Sequence, residues 1–182
     1  MRIISSNPNK LAEFCRFGLL CEAFSGSDLP EIDSPDPRLV AIHKAISAGT
    51  DILVEDTSLE IDGAGPGTAI RWCLEDVAGH IGKSAVWRVC IAAVLGTHVQ
   101  VTEGVVTGTI VNPVGDSTGA FGFDPWFCPD GSGGKTLHEL ELARRKDEFS
   151  ARRKAVEEWL AGHFVARIGL DDIPRWQGGW QR

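Results

Sequence analysis

The chain has 182 residues, 43% hydrophobic and 24% charged, which suits one folded domain with a substantial core and excludes a disordered chain. Its net charge of −7 and pI near 5.2 argue against a general nucleic-acid binder, which needs a basic face. A small polyanion such as a nucleotide remains compatible if the cations gather in one cleft. The five cysteines (Cys15, Cys21, Cys73, Cys90 and Cys128) are scattered without a C-x-x-C pair. That pattern predicts reduced thiols in a cytosolic protein, not a disulfide frame or zinc site. "MRIISSN" reaches a polar turn too soon to read as a signal peptide, and no apolar run is long enough to span a bilayer. A cytoplasmic protein with no membrane or nucleic-acid partner is expected.

In chain order, "RIIS" reads as a short strand and "SNPNK" as a turn. A helix follows, with Leu11, Phe14, Cys15, Gly18 and Leu19 on one face. A second helix over "SPDPRLVAIHKAISAG" is punctuated by Asp36 as N-cap, Pro37 at its first position and Gly49 as its stop. "DILVED" predicts a buried strand, and "SLEID", which alternates, a half-exposed one. "GAGPG" reads as a loop and "TAIRWCLEDVAG" as helical. "SAVWRVCIAAVL" is ambiguous by period, but the β-branched "VQVTEGVVTGTIV" is strand, and a turn at "GTH" would make the two a hairpin. "FGFDPWFCPDGSGG" predicts a loop region, and "FSARRKAVEEWLAGHF" a C-terminal helix with Phe149, Val156 and Leu160 inward. Mixed helices and strands argue for an α/β layered fold. The domain is expected over residues 1–164, with residues 165–182 a tail of unassigned role carrying Trp176 and Trp180.

Four stretches carry candidate chemistry. Ser5 to Lys10 is a strand–turn–helix, where backbone amides and the side chains of Ser5, Asn7 and Lys10 can meet an anion, although simple capping explains the same residues. It is not a P-loop, because the glycines of that motif are missing. Glu31 stands in a loop, and Glu55–Asp56 end an aliphatic run. Oxygen ligands of this kind suit magnesium, while Glu60 and Asp62 read as surface acids. Lys10, Lys44, Arg71 and the basic clusters at 144–146 and 152–154 stand out in an acidic protein, but a solvated helix face explains most of the second cluster, and Lys146 and Arg152 alone are unremarkable. "FGFDP", residues 121 to 125, offers aromatics and an acid that could stack and read a base, or simply plug the core. The five histidines show no metal-ligand spacing.

Taken together and in order, these stretches resemble the inosine triphosphate pyrophosphatase (Ham1-like) family, which hydrolyses noncanonical purine nucleoside triphosphates. "SSNPNKLAEF" is similar to the opening T-G-N-x-x-K-L-x-E, and "DLPEI" and "LVEDTSLEIDGAGPG" to the acidic segments. "FGFDPWFCPDG" resembles F-G-[WY]-D-P-x-F-x-P-x-G, and "RRKDEFSARRKA" the helix start K-N-x-x-S-H-R. The resemblance runs from about Arg2 to about Leu160. It implies a long twisted mixed β-sheet flanked by helices, two lobes around a cleft, and a homodimer. By its implication Ser5, Ser6, Asn7 and Lys10 cradle phosphate, Glu31 and Asp56 hold Mg²⁺, and Lys44, Arg71 and Lys146 neutralise phosphates. Thr57 joins the substrate site, Phe121, Gly122, Phe123 and Asp124 hold the base, and Arg152 reaches its 6-oxygen. Asp56 is the expected catalytic residue, orienting or deprotonating a water that attacks the α-phosphorus.

The chain departs from the family pattern at Ser6 for Gly, Phe123 for Trp or Tyr, Asp147 for Asn and Ala151 for His. The "GAGPG" loop is also shorter than the common form. The phosphate and metal half of the pattern is intact, whereas the base-reading half is altered. Ala151 offers no side-chain donor to a 6-oxo group, and an ionised Asp147 nearby could only accept. Two other readings stay open: a Maf-like pyrimidine nucleotide pyrophosphatase, whose S-x-S-x-R opening is absent, and a nucleotide-binding sensor without turnover.

Overall fold

The computed structural model describes residues 1–24 and 28–181. Its centre is a mixed sheet with strand order β2-β1-β3-β5-β6-β7, and β4 and β8 added beside β3 and β6. The strands are β1 Arg2–Ser5, β2 Leu20–Ala23, β3 Ile52–Ile61, β4 Gly65–Gly67, β5 Ser84–Leu95, β6 His98–Ile110, β7 Phe127–Pro129 and β8 Ala166–Gly169. β1 pairs in parallel with β2 and β3, and the remaining strand pairs are antiparallel. Among the described residues four α-helices flank the sheet: α1 Pro8–Arg16, α2 Pro37–Ala48, α3 Leu137–Leu142 and α4 Ala151–Ala161.

The hairpin β5–β6 explains why periodicity alone was ambiguous. Trp87, Val89, Ile91 and Ala93 face one core, shared with Phe14 of α1 and Val156 and Trp159 of α4. Cys90, Ala92 and Val94 face a second core, shared with Ala41, Ile42 and Ala45 of α2. A strand covered by helices on both faces loses its polar alternation. β3 obeys the same rule: Leu53 belongs to the first core and Val54 to the second. Successive side chains point to opposite faces, so Glu55 is aimed at the α1/α4 layer and Asp56 at the α2 layer.

The predicted caps of α2 are present: Asp36 accepts from the amides of Arg38 and Leu39, Pro37 opens the helix and Gly49 closes it. Other expectations need correction. β3 is one strand through Ile61, because β5 pairs with it from Val54 to Ile61, and Ser58 is buried within it. The "GAGPG" stretch contributes β4, and the "FCP" of the expected loop is β7. The helical stretch after β4 is two 3₁₀ segments, Ile70–Trp72 and Leu74–His80. α1 ends at Arg16, before Gly18 and Leu19, and Cys15 is exposed on it. On α4, Leu160 is 61% exposed and the neighbouring Trp159 faces the core instead, meeting Phe164 edge-to-face.

The cysteine expectation is also corrected. α1 turns back into β2 within a few residues, which sets Cys15 beside Cys21 with Cα atoms 5.8 Å apart, and the two are paired as a disulfide. Cys73, Cys90 and Cys128 are free. Cysteine usage therefore carries no argument for a reducing compartment. Among the described residues no helix is long and apolar enough to cross a membrane. The stretch after α4 is built into the molecule: β8 pairs with β6, and Trp180 bridges to Ile32. Arg182 lies outside the described residues.

Candidate active site

β1 runs into a turn and then α1, and this turn forms one wall of a cleft of about 510 Å³. Asn7 caps α1, accepting from the amides of Asn9 at 3.0 Å and Lys10 at 3.2 Å, while its own amide donates to Ser5 Oγ at 3.1 Å. The local folding is therefore ordinary capping, with Pro8 favouring the first helical position. Its consequence is functional: the positive end of α1 and Lys10 face the cleft.

The floor is β3. Glu55 and Asp56 are adjacent and nearly fully buried, yet their surroundings are opposite. Glu55 meets Lys10 at 2.7 Å and Arg152 at 3.3 Å, and accepts from the Thr57 hydroxyl. Burial opposes its ionisation, but Lys10 and Arg152 outweigh it and hold its pKa at about 2. On the other face, Asp56 Oδ2 is buried with no hydrogen-bond partner. Burial, reinforced by the nearby Glu31 and Glu55 carboxylates and only partly offset by Lys44, pushes the Asp56 pKa up to about 7. Lys44, from α2, is itself paired to Glu31 at 2.5 Å.

These residues pass the chemical test for a divalent cation. Two carboxylates face each other's field, one with an orphaned buried oxygen, and positive charge between them would relieve both. Among the described residues no three His, Cys, Asp or Glu side chains gather into a closed cage. Glu31 and Asp56 could supply two oxygen donors to such a cation, with phosphate oxygens and water completing the sparse set that suits Mg²⁺.

The mouth is crossed by a further ion pair. Arg71 donates to Asp28 Oδ2 at 2.7 Å, and Ser6 Oγ donates to Asp28 Oδ1 at 2.6 Å. Each of the three cations lining the cleft is thus matched by a protein carboxylate: Lys10 by Glu55, Lys44 by Glu31, Arg71 by Asp28. Phe121, Gly122 and Phe123 line the cleft's far side. Phe123 is anchored in the core, edge-to-face with Trp87 and Phe127, while Phe121 remains half-buried at the cleft.

Of the expected residues, Asp124, Lys146 and Arg152 stand outside the lining, in a buried network behind the aromatic wall. Lys146 bonds Asp124 at 2.6 Å and Glu13 at 2.7 Å. Arg152 pairs with Glu13 and bonds Thr57 at 3.2 Å. Lys146 Nζ lies 5.3 Å, and Arg152 Cζ 5.9 Å, from the Phe121 ring centre, so both set the electrostatics of that ring's face. Glu13 is the member that sequence reasoning missed. The signal was available: an acid beside Phe14 on the inward face of α1 needs a buried cation, and two were present downstream. Asp147 is taken up by Arg16, with bonds of 2.7 and 2.6 Å, and stands outside the cleft lining. Ala151 is fully buried against β6.

Comparison with known proteins gives the family. The chain is 35% identical to an inosine triphosphate pyrophosphatase of Giardia intestinalis, over 92% of this chain and 93% of that one. It is 30% identical to a dITP/XTP pyrophosphatase of Korarchaeum cryptofilum, over 96% of this chain and all of the relative. A dITP/XTP pyrophosphatase of Caulobacter vibrioides is 31% identical over 87% and 94% of the two chains. The Ham1 family model matches residues 1–161, which span the turn at Ser5, the β3 acids, the aromatic loop and α4, and the chain belongs to that family.

Proposed function

We propose that this protein hydrolyses noncanonical purine nucleoside triphosphates, such as those of inosine and xanthosine, to the monophosphate and pyrophosphate with Mg²⁺ as cofactor. Membership in the Ham1 family supports the reaction class, a hydrolase acting on acid anhydrides, and the names of its relatives support the substrate class. The single observation that carries the mechanism is Asp56: a buried carboxylate with an unpartnered oxygen and a pKa raised to about 7, lining a cleft walled by cations.

Glu31 and Asp56 would hold the magnesium, which when bound supplies positive charge against the triphosphate and acidifies water. The triphosphate lies across the N-terminus of α1, exchanging the carboxylate partners of Lys10, Lys44 and Arg71 for phosphate oxygens. The carboxylates keep the three cations compensated until the nucleotide arrives, so it need not meet bare, desolvated cations, and the bound magnesium would offset part of the charge it brings. Phe121 stacks on the base. Ionised Asp56 accepts the proton of the water that attacks the α-phosphorus. The new bond is oxygen to α-phosphorus; the bond to the β-phosphate bridging oxygen breaks and pyrophosphate departs. Most of the acceleration comes from positioning and charge neutralisation.

The test is pyrophosphate release with Mg²⁺ across ITP, XTP, dITP, GTP, ATP and the pyrimidine triphosphates. Release from ITP and XTP with little from ATP is the expected result. Preference for pyrimidines would replace this reading with the Maf-like one, and tight binding without release would replace it with a sensor.

A further inference from the structure

The segment after Gly169 lies outside the stretch matched by the family model, and it ends on the loop that carries Glu31. Gln181 donates its amide to the Glu31 carbonyl at 2.9 Å, and Asp33 donates its amide to the Gly179 carbonyl at 2.9 Å. Gln181 Nε2 adds a bond to the Ile32 carbonyl at 3.2 Å. Trp180 and Ile32 are thereby bridged antiparallel, with Ile32 fully buried between Glu31 and Asp33. The tail reaches this point over α2. Leu170 and Ile173 pack on the α2-side core, and Trp176 meets His43, next to Lys44, edge-to-face at 6.0 Å. Trp176 also donates to the Gly179 carbonyl at 2.6 Å, folding the last turn of the tail. A side chain at Gly178 would strike the Trp176 ring, its Cβ falling 2.4 Å from a ring atom, so a larger residue there must displace the ring.

We propose that Trp176, Gly178 and Gln181 are positioning residues: the tail is a strap that fixes the backbone of Glu31 and braces the helix carrying Lys44, so that the Glu31 carboxylate is held against Asp56 ready for the cation. This rests on the assignment of Glu31 and Asp56 as the Mg²⁺-binding pair. The physical reason is geometric. Glu31 stands on an irregular loop, held besides by the buried Ile32, by the Lys44 pair and by the bond from Thr68 to the Ser34 carbonyl. Among the described residues the Ile32–Trp180 bridge is that loop's strand contact, so the tail helps to hold its register. A metal site is sensitive to such looseness, since outer groups that orient the ligands commonly contribute about 10–100-fold in affinity.

Two variants test it: a chain ending at Pro174, and full-length Gly178→Val, which expels Trp176 while keeping every bonding group. Amide exchange at Asp33 is expected to speed up about tenfold or more in both, as the backbone bond from its amide to the Gly179 carbonyl is lost. Calorimetric titration with MgCl₂ alone is expected to show affinity weakened about tenfold. The Mg²⁺ concentration giving half-maximal turnover should rise in parallel, with kcat at saturating Mg²⁺ changed less. Unchanged exchange overturns the strap. Faster exchange with unchanged Mg²⁺ affinity and unchanged Mg²⁺ dependence overturns its positioning role and leaves a merely structural tail. If the truncated chain fails to fold, Gly178→Val decides. If the intact protein hydrolyses no nucleotide, the pyrophosphohydrolase reading falls, while exchange and MgCl₂ titration still decide this one.

Discussion

Glu55 and Asp56 are one peptide bond apart, and the sheet sends them to opposite electrostatic surroundings. Glu55 is surrounded by cations and stays ionised; Asp56 has Lys44 at a distance, Lys44 being already engaged by Glu31, and is pushed up to about 7. The gap from the ordinary value of 3.8 corresponds to about 4 kcal/mol of native-state cost once Asp56 is charged. The sign follows from linkage. Between pH 4 and 7 the native carboxyl keeps a proton that the unfolded chain releases, so stability falls as pH rises through that window. Asp56→Asn should therefore raise Tm at pH 8 in metal-free protein and leave it nearly unchanged at pH 4, and added Mg²⁺ should stabilise the wild type but not the variant. Thermal melts at the two pH values check this. The same substitution is expected to lower kcat by about 10²–10⁴-fold, measured as pyrophosphate release. Phe121 offers a second residue-scale test. Base–aromatic stacking contributes roughly 1–3 kcal/mol, so Phe121→Ala should raise KM about tenfold or more for every purine nucleotide; an unchanged KM would remove it from the base site.

At the scale of elements, the contact between β6 and α4 controls where Arg152 sits. Gly104 of β6 lies directly under α4: a Cβ there would fall 2.0 Å from the Ala151 carbonyl oxygen and 2.5 Å from the Ala155 amide. Both partners are backbone and cannot rotate away. Gly104→Ala should lift the start of α4, costing about 1–3 kcal/mol of stability by overpacking. It should also loosen the Arg152–Glu13 pair that ties α4 to α1, so KM should rise more than kcat falls. Denaturant unfolding and steady-state kinetics of the same variant would separate the two effects. The buried network of Glu13, Asp124, Lys146 and Arg152 has a further consequence for reading sequences. Two cations that the family resemblance assigned to the substrate are held by carboxylates beneath the cleft surface. Lys10, Lys44 and Arg71 are the ones lining it.

For the molecule as a whole, the cleft has its cations matched by acids and one orphaned carboxylate oxygen, so nucleotide with Mg²⁺ should stabilise the fold strongly. At a hundredfold excess over Kd the gain is about 2.7 kcal/mol, a Tm rise of roughly 5–10 °C for a chain of this size. ITP plus Mg²⁺ is expected to produce that rise; Mg²⁺-free ITP should produce much less. Differential scanning fluorimetry with and without chelator reads it directly. Much of this architecture was legible in the sequence. The caps of α2, the strand at 52–56 and the hairpin turning near Gly96 follow from local rules of capping chemistry, turn residues and hydrophobic runs, and the residues around the cleft from the family resemblance. What sequence could not supply were the non-local facts. The pairing of Cys15 with Cys21 needs the reversal from α1 into β2, and the burial of Trp159 in place of Leu160 needs the angle at which α4 meets the sheet. Asp147 read as a neighbour of the base until Arg16, distant in sequence, claimed it. The tail at 165–182 had no periodicity to read, because its bonds go to a loop some 150 residues earlier, at Glu31 and Ile32. Residue types and their local order thus determined which groups could do chemistry; the crossing of β3 beneath α1 and α2 decided which carboxylate is paired and which is left open, because charge compensation depends on distance through space and not along the chain.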